Sequence, residues 1–434
     1  MEKESVVIFW FRRDLRLEDN VGLHYALSSG YRVLPLFVFD KEILEQFTKE
    51  EDRRITYIYE ALEGIQRSLQ ELNSSLLCVH STPMKVFDDV VNQYNVKAVY
   101  TNEDYEPVAI QRDEQVSLFL GEYKIPFYTF KDHVIFKAGE VMKGDGTAYQ
   151  IYTPYSKKWR SKLTNNDLCD FTQPLTDELF MSCSFAMPTL ESLGYKRMEL
   201  GCLLPPKLDE TIVSTYNVKR DFPAEGGTTH IGIALRFGTI SIRKCVRFAL
   251  RLNDVWLSEL IWRDFFIQIM YLYPQVVKGC FKPQYESIQW RNNEEEFALW
   301  CQGKTGYPMV DAGMRELNQT GFMHNRVRMV VASFLTKHLL IDWRWGEAYF
   351  AQHLLDYDLS ANNGNWQWAA GCGCDAAPYF RVFNPSEQQK KFDSKGDYIK
   401  KWIPELDTLD YPTPIVDHKE ARLRAIAQYK QALK

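Results

Sequence analysis

The hydrophobic pattern changes period part-way along the chain, and that change limits the fold more than any other feature. Within the first 101 residues four short apolar runs stand out: Ser5–Trp10 (SVVIFW), Val33–Phe39 (VLPLFVF), Leu76–His80 and Lys97–Thr101. Such runs read as buried strands. Between them, near Val21–Ser29 and over Ile55–Leu72, apolar residues recur at helical spacing. Strand alternating with helix predicts an α/β domain built on a doubly wound parallel sheet over residues 1–130. Sheets of this kind hold ligands at the carboxyl ends of their strands, but no glycine fingerprint follows the first run. Residues 131–205 lose any clear period and are expected to connect two domains. From 206 to 434 helical spacing takes over, in Lys244–Asn253, Trp256–Tyr271, Glu294–Cys301, Ala312–Thr320, Met323–His338 and Trp345–Asp356. This half is expected to be all-α.

A chain of 434 residues exceeds the usual single-domain size. Its 45% hydrophobic and 25% charged residues are those of a soluble globular protein. A net charge of −5 excludes non-specific nucleic-acid binding by the whole surface. A nucleic acid would need a local basic patch, and residues 376–402 offer one, with six Lys/Arg against three acids. The nine cysteines show no CxxC or Cys/His spacing. No metal site is expected, and a reduced, cytoplasmic compartment fits. Without a signal peptide or an apolar run of about 18 residues, no membrane association is expected.

Chemistry concentrates in Asp356–Phe380, DYDLSANNGNWQWAAGCGCDAAPYF, which holds Asp356, Asp358, Asn362, Asn363, Trp366 and Trp368. With so few charges the stretch is expected to be buried. Its amides and acids then need hydrogen-bonding partners, which a large polar aromatic ligand can supply. Trp366 and Trp368 diverge by roughly 200° on a helix, so they face different surroundings. Two further helix faces mix the same residue types. Glu259, Trp262, Arg263 and Phe266 lie at i, i+3, i+4, i+7, and Asn325, Arg328 and Met329 at i, i+3, i+4 with Arg326 beside them. Singly they read as an Arg–Glu pair, a capping Asn and a core Met. Together they describe a cleft for something planar, polar at its edge and phosphate-bearing. Two near-motifs fail their context. Ala298–Thr305 ends in GKT without the P-loop's first glycine or a preceding strand. Gly371–Ala376 fits G-x-G-x-x-A but follows a helix.

WFRRDLRLEDN near the N-terminus, SELIWRDF at 258–265, KTGYPMVDAGMREL at 304–317, GFMHNRVRM at 321–329 and DLSANNGNWQWAA at 358–370 occur in that order. Over about residues 5–415 the chain resembles the photolyase/cryptochrome flavoproteins, specifically the class I cyclobutane pyrimidine dimer photolyases. The resemblance implies a light-dependent DNA repair enzyme, with one FAD, active as the reduced anion, folded in the helical domain. By similarity the FAD site comprises Tyr216, Thr228, Thr229, His230, Ile231, Gly232, Trp256, Arg328, Asp356, Tyr357, Asp358 and Asn362. Asn362 would face flavin N5, where a neutral amide serves both neutral and anionic reduced flavin and an ionised Asp would repel the anion. Glu259, Trp262, Asn325, Met329 and Trp368 would hold the flipped dimer. Arg220, Arg263, Arg326 and Gln388 would hold the DNA around it. Trp366, Trp343 and Trp290 match a relay that reduces oxidised flavin from solvent. The implied partner is ultraviolet-damaged DNA, bound by a monomer without an obligate protein partner.

Two segments depart from the family pattern. Where the family reads G-T-S, a basic residue, then L-S, this chain has Gly227-Thr228-Thr229-His230-Ile231-Gly232. One hydroxyl is lost at Gly232, and His230 can be neutral where an Arg would be charged, which implies weaker or pH-dependent FAD binding. After Tyr105-Glu106, Val108-Ala109 replaces the Asn-Glu pair of folate-binding members. That leaves a deazaflavin, another pigment or none as antenna. The chief alternative is a cryptochrome photoreceptor without repair activity; plant members usually carry Asp at the position of Asn362. A six-four photoproduct photolyase would want a second His in place of Asn325. A light-independent flavin oxidoreductase would need a substrate-side base or a nicotinamide site, and neither is visible.

Overall fold

The computed structural model describes residues 3–47, 50–201 and 204–434. Cys202 lies outside the described residues. The chain divides into two compact units, one of Met1–Glu140, Lys162–Leu208 and His230–Arg251, the other of Val141–Ser161, Asp209–Thr229 and Leu252–Lys434. The stretch 131–205 is therefore shared by both units.

In the first unit five parallel strands lie in the order β3-β2-β1-β4-β5. They are β1 Ser5–Phe11, β2 Arg32–Asp40, β3 Leu77–Ser81, β4 Asn95–Asn102 and β5 Phe127–Phe130. Strand order reverses at β1, as in a doubly wound sheet. Register places Ile8 opposite Leu34 on one side and Val99 on the other. Val6, Ile8 and Trp10 alternate onto one face, where they meet Phe87 and Val90 of the Pro83–Gln93 helix and Val116 and Leu120 of the Pro107–Glu122 helix. Both helices start with proline in the first turn, where no amide hydrogen is needed. The four expected strands are present. The fifth, β5, has no counterpart among the expected runs because FYTF is short and half-exposed, with no alternation to mark it.

The WFRRDLRLEDN motif begins at the end of β1 and runs through the loop after it into a buried charge cluster. Asp132, 1% exposed, accepts two hydrogen bonds from Arg16 Nη2 (2.8 and 2.7 Å) and one from Arg243 Nη2 (2.8 Å). Asp19 accepts from Arg243 Nε (2.9 Å) and from the Ser241 hydroxyl (2.5 Å). Burial alone would push the Asp132 carboxyl up, but the guanidinium groups of Arg16 and Arg243 outweigh it and hold the carboxyl well below the usual range.

The second unit is helical. Its core gathers Trp300, Met309, Met314, Val327, Phe334, Leu335, Trp343 and Trp366. The expected Met323–His338 helix is two elements: an α-helix over Asn325–Ser333 and a π-turn over Phe334–His338, where Leu339 N–H reaches back to Phe334 O. The expected Trp345–Asp356 helix runs from Trp343 to His353, because Asp342 caps it by accepting from Arg344 N. The GKT segment is a structural turn. The buried Asp311 carboxylate accepts from Thr305 N and Oγ1, Gly306 N and Tyr411 Oη.

Asp132→Ala leaves two buried guanidinium groups without their shared anion. It should cost the first unit about 3–5 kcal/mol, read as a lower urea midpoint. The carboxyl titrates lower folded than unfolded, so its stabilisation is complete above roughly pH 4 and is lost as pH falls through the folded value.

Candidate functional site

The Leu359–Ala370 helix organises the site. Asp358 caps it by accepting from Ala361 N (3.2 Å), and Gly371, at φ +88°, ends it. Asn362, Asn363 and Gln367 are all buried. The partners expected from a ligand come largely from the protein itself. Asn363 Nδ2 donates to Val276 O (3.0 Å), and Gln367 Nε2 donates to Val276 O (2.9 Å) and Gly279 O (3.1 Å). Gln367 Oε1 accepts from Phe281 N (2.8 Å). Asn362 differs: its Nδ2 donates to Glu347 Oε1 (2.8 Å) and Glu347 O (3.1 Å), while Oδ1 has no hydrogen-bond partner among the described residues.

Two glycines let neighbouring helices reach this one. A Cβ at Gly364 would run into the Phe266 ring, and one at Gly346 would run into the Trp366 ring. The close approach buries Trp366 between Phe350 (4.9 Å between ring centroids) and Trp300 (6.2 Å).

A cavity of about 90 Å³ opens beside the helix. Asp356, Tyr357, Asp358, Asn362 and Trp366 line part of it, and Asn325, Arg328, Met329 and Trp368 line another part. Residues singled out for a cofactor and residues singled out for a lesion thus meet in one space. Arg328 grips Asp356 with Nη2 on both carboxylate oxygens (3.1 and 3.0 Å) and donates Nε to Met323 O (2.7 Å). Tyr216, Thr228, Thr229 and Trp256 do not line this cavity; Trp256 is buried on the Asp254–Leu272 helix. His230, Ile231 and Gly232 belong to the first unit, with His230 in the left-handed region at φ +51°.

The Asp254–Leu272 helix supplies the second cluster. Glu259 pairs with Arg220 rather than with Arg263, its neighbour one turn on. Arg220 also lies near Asp221 (3.8 Å), and Asp221 accepts from Arg326 Nη2 (2.6 Å). Arg326 rests over the Phe392 ring at 4.3 Å. Burial pushes the Glu259 carboxyl up, Arg220 opposes it and Asp221 reinforces it. Trp262 stacks flat on Tyr152, 3.7 Å between centroids and 5° between planes. The Tyr152 hydroxyl donates to Ser258 O (2.9 Å), which holds the pair in place. The helix cap ahead of Asn325 is His324, whose Nδ1 accepts from Arg326 N (3.1 Å), so Asn325 is not the capping residue. Gln388 is half-buried on the Pro385–Phe392 helix. Trp366 and Trp343 are buried and Trp290 is half-buried; Trp290 meets Tyr429 edge to face at 6.0 Å.

Sequence reasoning missed Glu347, Tyr152 and Asp221. Each is a common residue type that meets its partner from another segment. Glu347 reaches Asn362 across 15 residues, Asp221 reaches Arg326 across 105 and Tyr152 reaches Ser258 across 106. No helical or strand period connects positions so far apart.

Gly364→Ala should force the helix off Phe266 and lower the second unit's stability by about 1–3 kcal/mol. Thermal melting followed by tryptophan fluorescence measures it; an unchanged midpoint would mean the two helices are not tightly apposed.

Residues 7–175 match the family described as DNA photolyase, and residues 256–410 match the FAD binding domain of DNA photolyase. A deoxyribodipyrimidine photo-lyase of Synechococcus sp. is 37% identical, over 98% of this chain and 96% of that protein. A solved bacterial class III photolyase from Agrobacterium tumefaciens superposes with a TM-score of 0.87 at 30% identity, covering 100% of this chain and 98% of that one. A Synechocystis sp. cryptochrome superposes with a TM-score of 0.85 at 26% identity, covering 98% of this chain and 99% of that one. With a relative this similar along nearly its whole length, the chain belongs to the DNA photolyase family.

Proposed function

We propose that the chain is a class I deoxyribodipyrimidine photo-lyase, which splits cyclobutane pyrimidine dimers in ultraviolet-damaged DNA under light and works as a monomer in the cytoplasm. The observation that carries this reading is the cavity shared by Asn362, Arg328 and Asp356 on one part and by Asn325, Met329 and Trp368 on another. Its donor set suits FAD. The unpartnered Asn362 Oδ1 offers an acceptor to a ring N–H, and the Arg328–Asp356 pair offers a cation and an anion at the edge. At about 90 Å³ the cavity takes part of a dinucleotide, and within the second unit the resemblance assigns more of it to Tyr216, Thr228 and Thr229. Reduced FAD, when bound, supplies the photoexcited electron donor.

The protein's own residues do the rest. A dimer stacks poorly in the duplex, so extruding it costs less than extruding intact bases, the base-flipping logic already known for photolyases. Trp262 and Trp368 stack on the extruded pair, and Tyr152 keeps Trp262 flat and in position. Asn325 and Glu259 hydrogen-bond to the base edges, and Met329 packs on them. Arg220, Arg263, Arg326 and Gln388 hold the backbone without reading sequence. When a phosphate draws Arg220 away, Glu259 loses its counter-charge. Burial then favours the protonated carboxyl, placing a proton donor beside the dimer. Both cyclobutane bonds break and two C=C double bonds return, with no net redox change. Trp366, Trp343 and Trp290 serve as the path by which oxidised cofactor is reduced.

Asn362 favours repair over the cryptochrome alternative, as does Trp262 held flat beside Glu259. The antenna pigment, if one is bound, belongs to the first unit, where Val108 is exposed and Ala109 is buried.

Illuminating the reduced protein with dimer-containing DNA should remove dimers that persist in a dark control. FAD-loaded protein that leaves dimers intact under light would instead fit the photoreceptor. Trp262→Ala should weaken binding to dimer DNA by about 1–3 kcal/mol, roughly 5- to 150-fold, with little change for undamaged DNA, by fluorescence anisotropy. Trp343→Phe should slow photoreduction yet spare repair by chemically reduced protein; equal loss of both would reject the relay.

A further inference from the structure

Glu347 lies behind Asn362, on the Trp343–His353 helix, and does not line the cavity. Its carboxylate and its main-chain oxygen both accept from Asn362 Nδ2, at 2.8 and 3.1 Å. Two acceptors at one end of the amide fix which way round it sits, so Oδ1 is the end left for the cavity. The main-chain acceptor persists whatever the charge on the side chain. Protonating Glu347 therefore changes the charge behind Asn362 without releasing the amide.

We propose that Glu347 is the site of proton uptake coupled to reduction of the bound flavin, a positioning and charge-balancing residue that acts through Asn362. The proposal rests on the flavin reading above. Negative charge added on the cavity side of one amide disfavours an ionised carboxylate on the other side. An added reductant such as dithionite supplies the electrons, and water supplies the proton, which forms a new O–H bond on Glu347. That proton is taken up in addition to any the ring itself takes, and oxidation releases it.

The charged groups on the surrounding elements are already engaged. Arg328 holds Asp356 and the Met323 carbonyl. Asp358 caps the Leu359–Ala370 helix, and Arg344, on Glu347's own helix, holds Glu286 and Asp342. Burial pushes the Glu347 carboxyl up and the hydrogen bond from Asn362 draws it down, with burial the stronger. The group thus titrates above the ordinary glutamate range, where a modest added charge can change its state.

The test compares FAD-loaded wild type with Glu347→Gln, which keeps an acceptor for Asn362 but cannot take up a proton. Redox titration between pH 5.5 and 9 should show the wild-type reduction constant falling tenfold further per pH unit than that of E347Q, over the interval in which Glu347 titrates. The reduced-minus-oxidised infrared spectrum of the wild type should gain a protonated-carboxyl C=O stretch. Labelling glutamate with 13C must shift that band, a check that needs no variant. Equal pH slopes, or no glutamate band, with FAD bound in the wild type, overturn the role of Glu347 and leave the flavin reading standing. A wild-type chain that takes up no FAD overturns both.

Discussion

An amide taken into an apolar core must find a partner for each end, and the Leu359–Ala370 helix takes in three. Asn363 and Gln367 converge on the Val276 carbonyl, and Gln367 also binds the main chain at Gly279 and Phe281. These bonds tie the 276–281 segment to the helix and set the helix's rotation. With the rotation set, Trp366 is buried against Phe350 and Trp300, and Trp368 stays half-exposed. Asn362 then falls on the cavity wall. Slide the helix by one residue and the amides lose their carbonyls while the site loses its acceptor.

Charge in the site is matched in the same pairwise way. Three arginines are each held by an acid: Arg220 by Glu259, Arg326 by Asp221 and Arg328 by Asp356. An acidic protein with a net charge of −5 can present arginines to an anionic partner in this way without carrying a basic face. Each of these guanidinium groups is balanced by its own carboxylate. In the first unit the same residue types have a structural role, with Asp132 neutralising Arg16 and Arg243 in the interior.

The strands and most helices were legible because period and burial speak locally. SVVIFW, VLPLFVF and their successors form β1 to β4, and the short, half-exposed β5 lacks such a signal. Glu259 and Arg263 share a helix face, which suggests a pair, yet Arg220 takes the glutamate from 39 residues away. Likewise Asn325 has the residue type of a cap, while the imidazole of His324 fills that place. Both misreadings have one cause: local spacing ranks the available partners, and the folded backbone chooses among them.

What the chain's order of residues determined by itself is a parallel α/β half, an all-α half and the family to which both belong, since each follows from periodicity or from long ordered motifs. Which residues share one cavity, which end of Asn362 faces it and which acid holds each arginine were decided only by tertiary structure. Hydrogen bonds and ion pairs between distant segments leave no period in a sequence. They exist only once packing has brought their partners within about 3 Å.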